Sequence, residues 1–204
     1  MNKLISFEGV DGVGKPTQIK LFLEQLKNNN MNYLLFREPG GTILSEKIRE
    51  ILLDNNNDMS NLSETLLFLA ARTDLVKKEI KPNLKNDNTY VVCDRFLDST
   101  LAYQAYGRGV DLKLIQDITL KATDQISPST TFLLDADIDL SLSRITTKDR
   151  MEKEGKDFLL KVKNGFLELA KLNKNRYVII DANKTISEIQ NCIWKEFCGR
   201  YLEI

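Results

Sequence analysis

Histidine is absent from the 204 residues. That removes Ser-His and Cys-His nucleophilic catalysis, imidazole acid-base chemistry and histidine-ligated zinc. Cysteine is scarce: Cys93, Cys192 and Cys198 are odd in number and spaced like neither a disulfide framework nor a thiolate metal site, so a reducing cytoplasmic setting is expected. No apolar run approaches the roughly 18 residues that cross a bilayer. The opening Met1-Asn2-Lys3-Leu4 leads into a short apolar stretch without a cleavage signal, so neither secretion nor membrane insertion is expected. Excess charge is missing as well. Lys plus Arg and Asp plus Glu both number 29, so no global positive field exists to hold a nucleic acid, and any polyanion must be gripped locally. What remains is ordinary globular composition, 42% hydrophobic and 28% charged, in a chain whose length suits one domain over 1–204 with a substantial core.

Short runs rich in β-branched and apolar residues occur at Leu4 to Phe7, Tyr33 to Phe36, Tyr90 to Cys93, Thr131 to Leu134 and Tyr177 to Ile180. Runs of this kind fit strands covered on both faces. Segments with helical spacing alternate with them: Ile19 to Leu26, Ile43 to Leu53, Leu62 to Leu84, Leu97 to Tyr106, Leu112 to Ala122, Leu140 to Thr146, Phe158 to Leu172 and Ile186 to Phe197. The alternation predicts an α/β fold of three layers, a five-stranded parallel sheet flanked by helices. The Asn runs at 28–30 and 55–57 read as helix-ending turns.

The segment after the first strand, Phe7-Glu8-Gly9-Val10-Asp11-Gly12-Val13-Gly14-Lys15-Pro16-Thr17, is nearly a P-loop. In such a loop successive backbone N–H groups turn toward phosphate oxygens, glycines allow the path, and the lysine neutralises the β and γ phosphates. Gly9, Val10, Asp11, Gly12, Val13, Gly14, Lys15, Pro16 and Thr17 are therefore assigned to ATP. Pro16 stands where the motif has Ser or Thr, so the hydroxyl that ligates Mg2+ is missing, although proline suits the first turn of a helix. Thr17 would need a shifted loop to replace it. Mg2+ is then expected on the nucleotide, water and Asp94, more weakly than with serine at 16.

Three further motifs, two following strands and one on the third helical segment, are expected to converge in the crevice beyond the carboxyl ends of the strands, where ligands sit in open parallel sheets. They are Arg37-Glu38-Pro39-Gly40-Gly41-Thr42, Phe68-Leu69-Ala70-Ala71-Arg72, and Asp94-Arg95-Phe96 with Ser99, Tyr103 and Gln104 beyond it. Phe68 and Arg72, four apart, share one helix face. With the P-loop, these motifs make the chain resemble the thymidylate kinase family, P-loop kinases of nucleoside monophosphates, along essentially its full length.

The resemblance implies ATP-dependent phosphorylation of dTMP to dTDP, with ATP and dTMP as the small-molecule substrates. It implies Phe68 stacking on thymine, Arg72 on the base or its monophosphate side, Arg95 on the acceptor phosphate and Gln104 against the base. Asp11 would meet the sugar or phosphate side of dTMP. Ser99 and Tyr103 would shape the pockets, and Glu38 and Pro39 would line the cleft. Lys15, Arg95 and Asp94 are carried over as catalytic. Val10-Asp11-Gly12-Val13 holds no arginine, so the resemblance is to members whose arginine lies in a lid, here about 144–157. Arg150 is the first candidate, Lys148 the second, with Arg144 beside adenine and Asp149 and Glu152 helping to order the segment. A homodimer is implied too. Tyr106 reads as helix packing only.

Two other classes stay open at this point: another P-loop deoxynucleotide kinase, and a nucleotide-binding protein whose catalysis Pro16 impairs. A GTPase is disfavoured, because Asn183-Lys184-Thr185-Ile186 has an apolar residue where a guanine-reading aspartate would accept hydrogen bonds.

Overall fold

The computed structural model describes residues 2–145, 150–151 and 154–202. Five strands form one parallel sheet: β1 (Leu4–Glu8), β2 (Asn32–Arg37), β3 (Thr89–Asp94), β4 (Thr130–Asp135) and β5 (Tyr177–Asp181), in the order β2-β3-β1-β4-β5. The central β1 is buried at every position, whereas the edge strands β2 and β5 leave Leu35 and Ile179 exposed. Continuous apolar runs therefore mark the middle of the sheet, as expected for strands covered on both faces. Because β1 has β3 on one side and β4 on the other, a crevice opens beyond its carboxyl end.

The helices are α1 (Lys15–Asn28), α2 (Ile43–Leu53), α3 (Asn61–Leu75), α4 (Lys81–Asn83), α5 (Leu97–Thr100), α6 (Leu112–Ala122), α7 (Ile138–Ser143), α8 (Gly155–Leu172) and α9 (Ile186–Tyr201). Their starts follow from short polar side chains. Thr42, Ser60 and Asp111 each accept an N–H three residues on, and Thr185 with Glu188 forms a reciprocal capping box. Two helices differ from the regular spacing expected. The segment expected at Leu62 to Leu84 widens into a π-helical stretch at Val76–Ile80, and that at Leu97 to Tyr106 does so over Leu101–Gly107. A π-helical turn advances more residues per turn than an α-helix, which re-aims side chains; here it carries Tyr103 and Gln104. The helix expected at Leu140 to Thr146 begins earlier, at Ile138, and ends at Ser143; Thr146 lies outside the described residues.

Behind the P-loop the core is aromatic. Phe7, Phe22 and Phe132 meet with centroids 5.3–6.1 Å apart, and Phe22 contacts Phe197 and Trp194 of α9 at 5.2 and 6.2 Å. These pairs fix α1, whose first residue is Lys15, against β1 and α9. Tyr106 packs on α8, where a Cβ at Gly165 would come within 2.7 Å of its ring. Among the described residues no helix is long and apolar enough to cross a membrane.

Candidate active site

The loop between β1 and α1 follows from its glycines. Gly9, Gly12 and Gly14 have φ of +137°, +81° and +95°, and a Cβ on Gly12 would collide with the Ser141 carbonyl. Lys15 folds back into this loop, its Nζ donating to the carbonyls of Gly9 and Val10 at 2.9 Å each. Burial, and then the charge of Arg95, lowers its ammonium to about 8 against the opposing pull of Asp11 and Asp94. No carboxylate among the described residues forms an ion pair with this buried cation, and a polyphosphate would supply that close anion. Val10 and Val13 anchor the loop in the core, while Pro16 and Thr17 are exposed on the first turn of α1. Arg144 reaches the loop from the far side, with its Nη1 3.4 Å from the Gly12 carbonyl.

Next to the loop lies a cleft with about 600 Å³ of space unoccupied by protein. Its walls hold Asp11, Glu38, Pro39, Phe68, Arg72, Arg95, Ser99, Tyr103 and Gln104, brought together from β1, β2, α3 and β3 with the helix after it. The link between loop and cleft is Arg95. Its Nη2 lies 2.5 Å from Asp11 Oδ1 and 3.2 Å from the Tyr103 hydroxyl, and its Nη1 donates to the Gly9 carbonyl and to Ser99 Oγ at 3.0 Å. Burial alone would push Asp11 up, but Arg95 and Lys15 together hold its carboxyl down to about 2. Tyr103 completes the cluster by donating to Asp11 Oδ2 at 2.8 Å, with burial raising its phenol well above the ordinary value.

Arg72 forms the opposite wall. Its Nε donates to Glu38 Oε2 and its Nη1 to Thr100 Oγ1, both at 2.7 Å, and its Nη2 to the Phe96 carbonyl at 3.0 Å. Both members of the Arg72–Glu38 pair are buried, and burial pushes the Glu38 carboxyl up in spite of the guanidinium beside it. Glu38 Oε1 is buried without a partner among the described residues, so the cleft wall holds an acceptor for a ligand's O–H or N–H. Phe68, half-buried, carries the flat face that a base can stack on.

Asp94 ends β3 with Oδ1 buried and, among the described residues, unpartnered. It shares a surface groove with Pro16, so the carboxylate and the missing hydroxyl face the same space. Arg150 lies next to two residues of the cleft wall, Met151 beside it in sequence and Leu53 beside its partner Leu52. Its Nη2 lies 2.7 Å from Glu64 Oε2 and its Nε donates to the Leu52 carbonyl at 2.9 Å. Lys148, Asp149 and Glu152 fall outside the described residues.

Several groups here escape a reading of the sequence. Glu8, wholly buried, takes the Phe96 N–H on Oε1 at 2.8 Å and the Ser99 hydroxyl on Oε2 at 2.6 Å. It thereby holds the turn in which Arg95 adopts φ +68°, unusual for a side chain of this size. Burial, then Asp98, pushes its carboxyl up. Asp98 in turn is gripped by both terminal nitrogens of Arg176 at 2.6 Å. Arg49, Leu53, Thr100 and Met151 also line the cleft. Glu64 joins it indirectly through Gln104, and also meets Arg108 and Arg150.

The profile of the thymidylate kinase family matches residues 7–193, a span containing the whole loop and every cleft residue named above. The chain belongs to the thymidylate kinase family. A thymidylate kinase of Thermosipho africanus is 47% identical over 187 residues, covering 91% of this chain and 92% of its own length. One from Kosmotoga olearia is 42% identical over 196 residues, covering 95% and 94%. Among solved structures, the thymidylate kinase of Ehrlichia chaffeensis superposes with a TM-score of 0.80 at 36% identity, covering 95% of this chain and 97% of that one. Family membership and a P-loop opening onto a base-sized cleft agree.

Proposed function

We propose that this chain transfers the γ-phosphoryl group of ATP to the 5′-phosphate of dTMP, giving ADP and dTDP. The observation that carries the reading is the Arg95–Asp11 bridge at 2.5 Å, which ties the phosphate loop to the cleft so that donor and acceptor phosphates converge on one cation. The acceptor oxygen of dTMP is already anionic, so direct in-line attack needs no general base, and the lack of histidine is no obstacle. Catalysis then rests on position and on cations around the equatorial oxygens. Lys15 takes the β and γ phosphates, Arg95 orients the acceptor phosphate, Arg150 supplies charge to the group in flight, and Arg144 flanks the donor nucleotide. Phe68 stacks on thymine, Arg72 and Gln104 read its edge, and Ser99, Tyr103, Glu38 and Pro39 shape the remainder of the cleft.

Coupled turnover with ATP, Mg2+ and a panel of nucleoside monophosphates tests the reading. dTMP should be the best acceptor, and a panel led by another monophosphate, or by none, overturns it. The other two classes left open by the sequence find no support in the family match, which extends across the acceptor side.

Mg2+ fits this site through Asp94, whose buried oxygen, unpartnered among the described residues, is the donor a hard cation takes. Among the described residues no three acidic or cysteine side chains converge as a metal site of their own, so nucleotide oxygens and water would supply the other ligands. Bound there, the ion neutralises charge on the β and γ phosphates. Pro16→Ser restores a hydroxyl at the helix start. It should tighten Mn2+ binding, read by electron paramagnetic resonance with a non-hydrolysable ATP analogue present, by about fivefold for one added ligand worth about 1 kcal/mol. Unchanged binding would remove Pro16 from the account.

We further propose a cytoplasmic homodimer. Ile43, Leu44 and Ile51 on α2, Leu62 and Leu66 on α3, and Leu114 and Leu120 on α6 are exposed on helices of which α3 packs against both of the others. Apolar surface of this kind favours burial between copies. Sedimentation should return twice the chain mass, and Leu66→Glu should return the single-chain value.

A further inference from the structure

Glu64 opens α3 as an ordinary first-turn acid, yet it is only 1% exposed and gathers partners from distant parts of the chain. Arg108 donates to both of its oxygens, Nε to Oε1 at 3.1 Å and Nη2 to Oε2 at 3.2 Å; Arg150 approaches Oε2 to 2.7 Å. The third partner is Gln104, whose Nε2 donates to Oε1 at 3.1 Å. Burial alone would push the Glu64 carboxyl up, but hydrogen bonds and charge from Arg108, with Gln104 and Arg150 beside it, hold it below its ordinary value. An ionised carboxylate only accepts hydrogen bonds, and a carboxamide has one donating end and one accepting end. Gln104 must therefore turn its NH2 toward Glu64, which leaves its carbonyl as the end it can offer to the cleft it lines. Arg72, which can only donate, lines the same cleft.

We propose that Glu64 is a positioning residue that sets the base preference of the site, by holding the Gln104 carboxamide in one of its two flips with the carbonyl toward the acceptor base. The inference rests on the dTMP kinase reading and deepens it. A carbonyl from Gln104 beside donors from Arg72 matches a pyrimidine with N3–H next to a 4-carbonyl. It opposes one with a bare N3 next to a 4-amino group, because both polar groups of the protein would then face their own kind. Thymine and 5-methylcytosine differ at this edge and share the 5-methyl group, so comparing their monophosphates isolates it.

The test measures kcat/KM for dTMP and 5-methyl-dCMP in the wild type, Glu64→Gln, Gln104→Leu and the double variant. A site built to hydrogen-bond one edge rejects the mismatched edge strongly, so the wild-type ratio should be about a thousandfold or more. In Glu64→Gln the amide facing Gln104 can accept or donate, both flips become available, and the ratio should fall at least about tenfold, mostly through a lower KM for 5-methyl-dCMP. Gln104→Leu should lower the ratio as well, and the double variant should lower it no further, because Glu64 acts through Gln104. An unchanged ratio in Glu64→Gln, or losses that simply add in the double variant, overturns the proposal while leaving dTMP phosphorylation standing. A wild type that does not phosphorylate dTMP overturns both. If Glu64→Gln does not fold, exchange of the Gln104 side-chain amide protons in the wild type decides. Slow exchange, with dTMP present or absent, supports the proposal, and free exchange in either state overturns it.

Discussion

Arg95→Met should lower kcat/KM for dTMP by about two to three orders of magnitude, and the loss should appear with short and long donor nucleotides alike. The guanidinium is the common partner of Asp11, Tyr103, Ser99 and the Gly9 carbonyl, so removing it strands a buried carboxylate and, on the role proposed for it, also takes away the acceptor-phosphate contact. Truncating one member of a buried hydrogen-bonded charge pair costs roughly 2–5 kcal/mol, and about 1.4 kcal/mol is a factor of ten in rate. The stranded carboxylate gives a second readout. In the wild type the Asp11 carboxyl is held down to a pKa of about 2 from 3.8, so its stabilising contribution is complete above 3.8 and is lost as pH falls through about 2. Without Arg95 that depression shrinks, and the acid limb of the unfolding curve should move to higher pH. A variant with wild-type kcat/KM would mean that the acceptor phosphate is held elsewhere.

Arg150→Ala is expected to lower kcat about a thousandfold while moving the KM for dTMP less than threefold, as for other P-loop proteins that lose a transition-state arginine. The loop itself has no arginine, so that charge has to arrive from another segment. In the structure Arg150 rests on Glu64 and the Leu52 carbonyl. A side chain that remained there would affect dTMP affinity and leave turnover largely intact, so a rise in KM with unchanged kcat sinks the assignment. Arg144→Ala is the comparison. Its guanidinium lies near the Gly12 carbonyl, and a larger loss of kcat there would transfer the role to it.

The architecture could be read from the chain because a parallel sheet buried on both faces writes itself as short continuous apolar runs. The five runs fall inside the five strands, each extended by one or two residues. The loop was legible for a similar reason: its glycines, its lysine and the strand before it are contiguous. What was not legible depends on contacts between distant positions. Glu64 looks like a helix-capping acid, and nothing local says that Gln104, Arg108 and Arg150 will meet on it. Glu8 sits within a recognisable motif, but its work on the Phe96 N–H and Ser99 hydroxyl appears only when β1 lies beside β3. The π-helical widening at Leu101–Gly107 also gave no local signal, since it is set by how Tyr103 and Gln104 pack toward the cleft and α8.

The aromatic core described above has a practical corollary. The chain has one tryptophan, Trp194, stacked on Phe197 at 5.1 Å and set edge-on to Phe22 in the helix that begins at Lys15. Indole emission follows local packing, so the fluorescence of the unlabelled protein is a native optical gauge. It senses whether ordering of a triphosphate at one end of α1 is transmitted to the layer behind it.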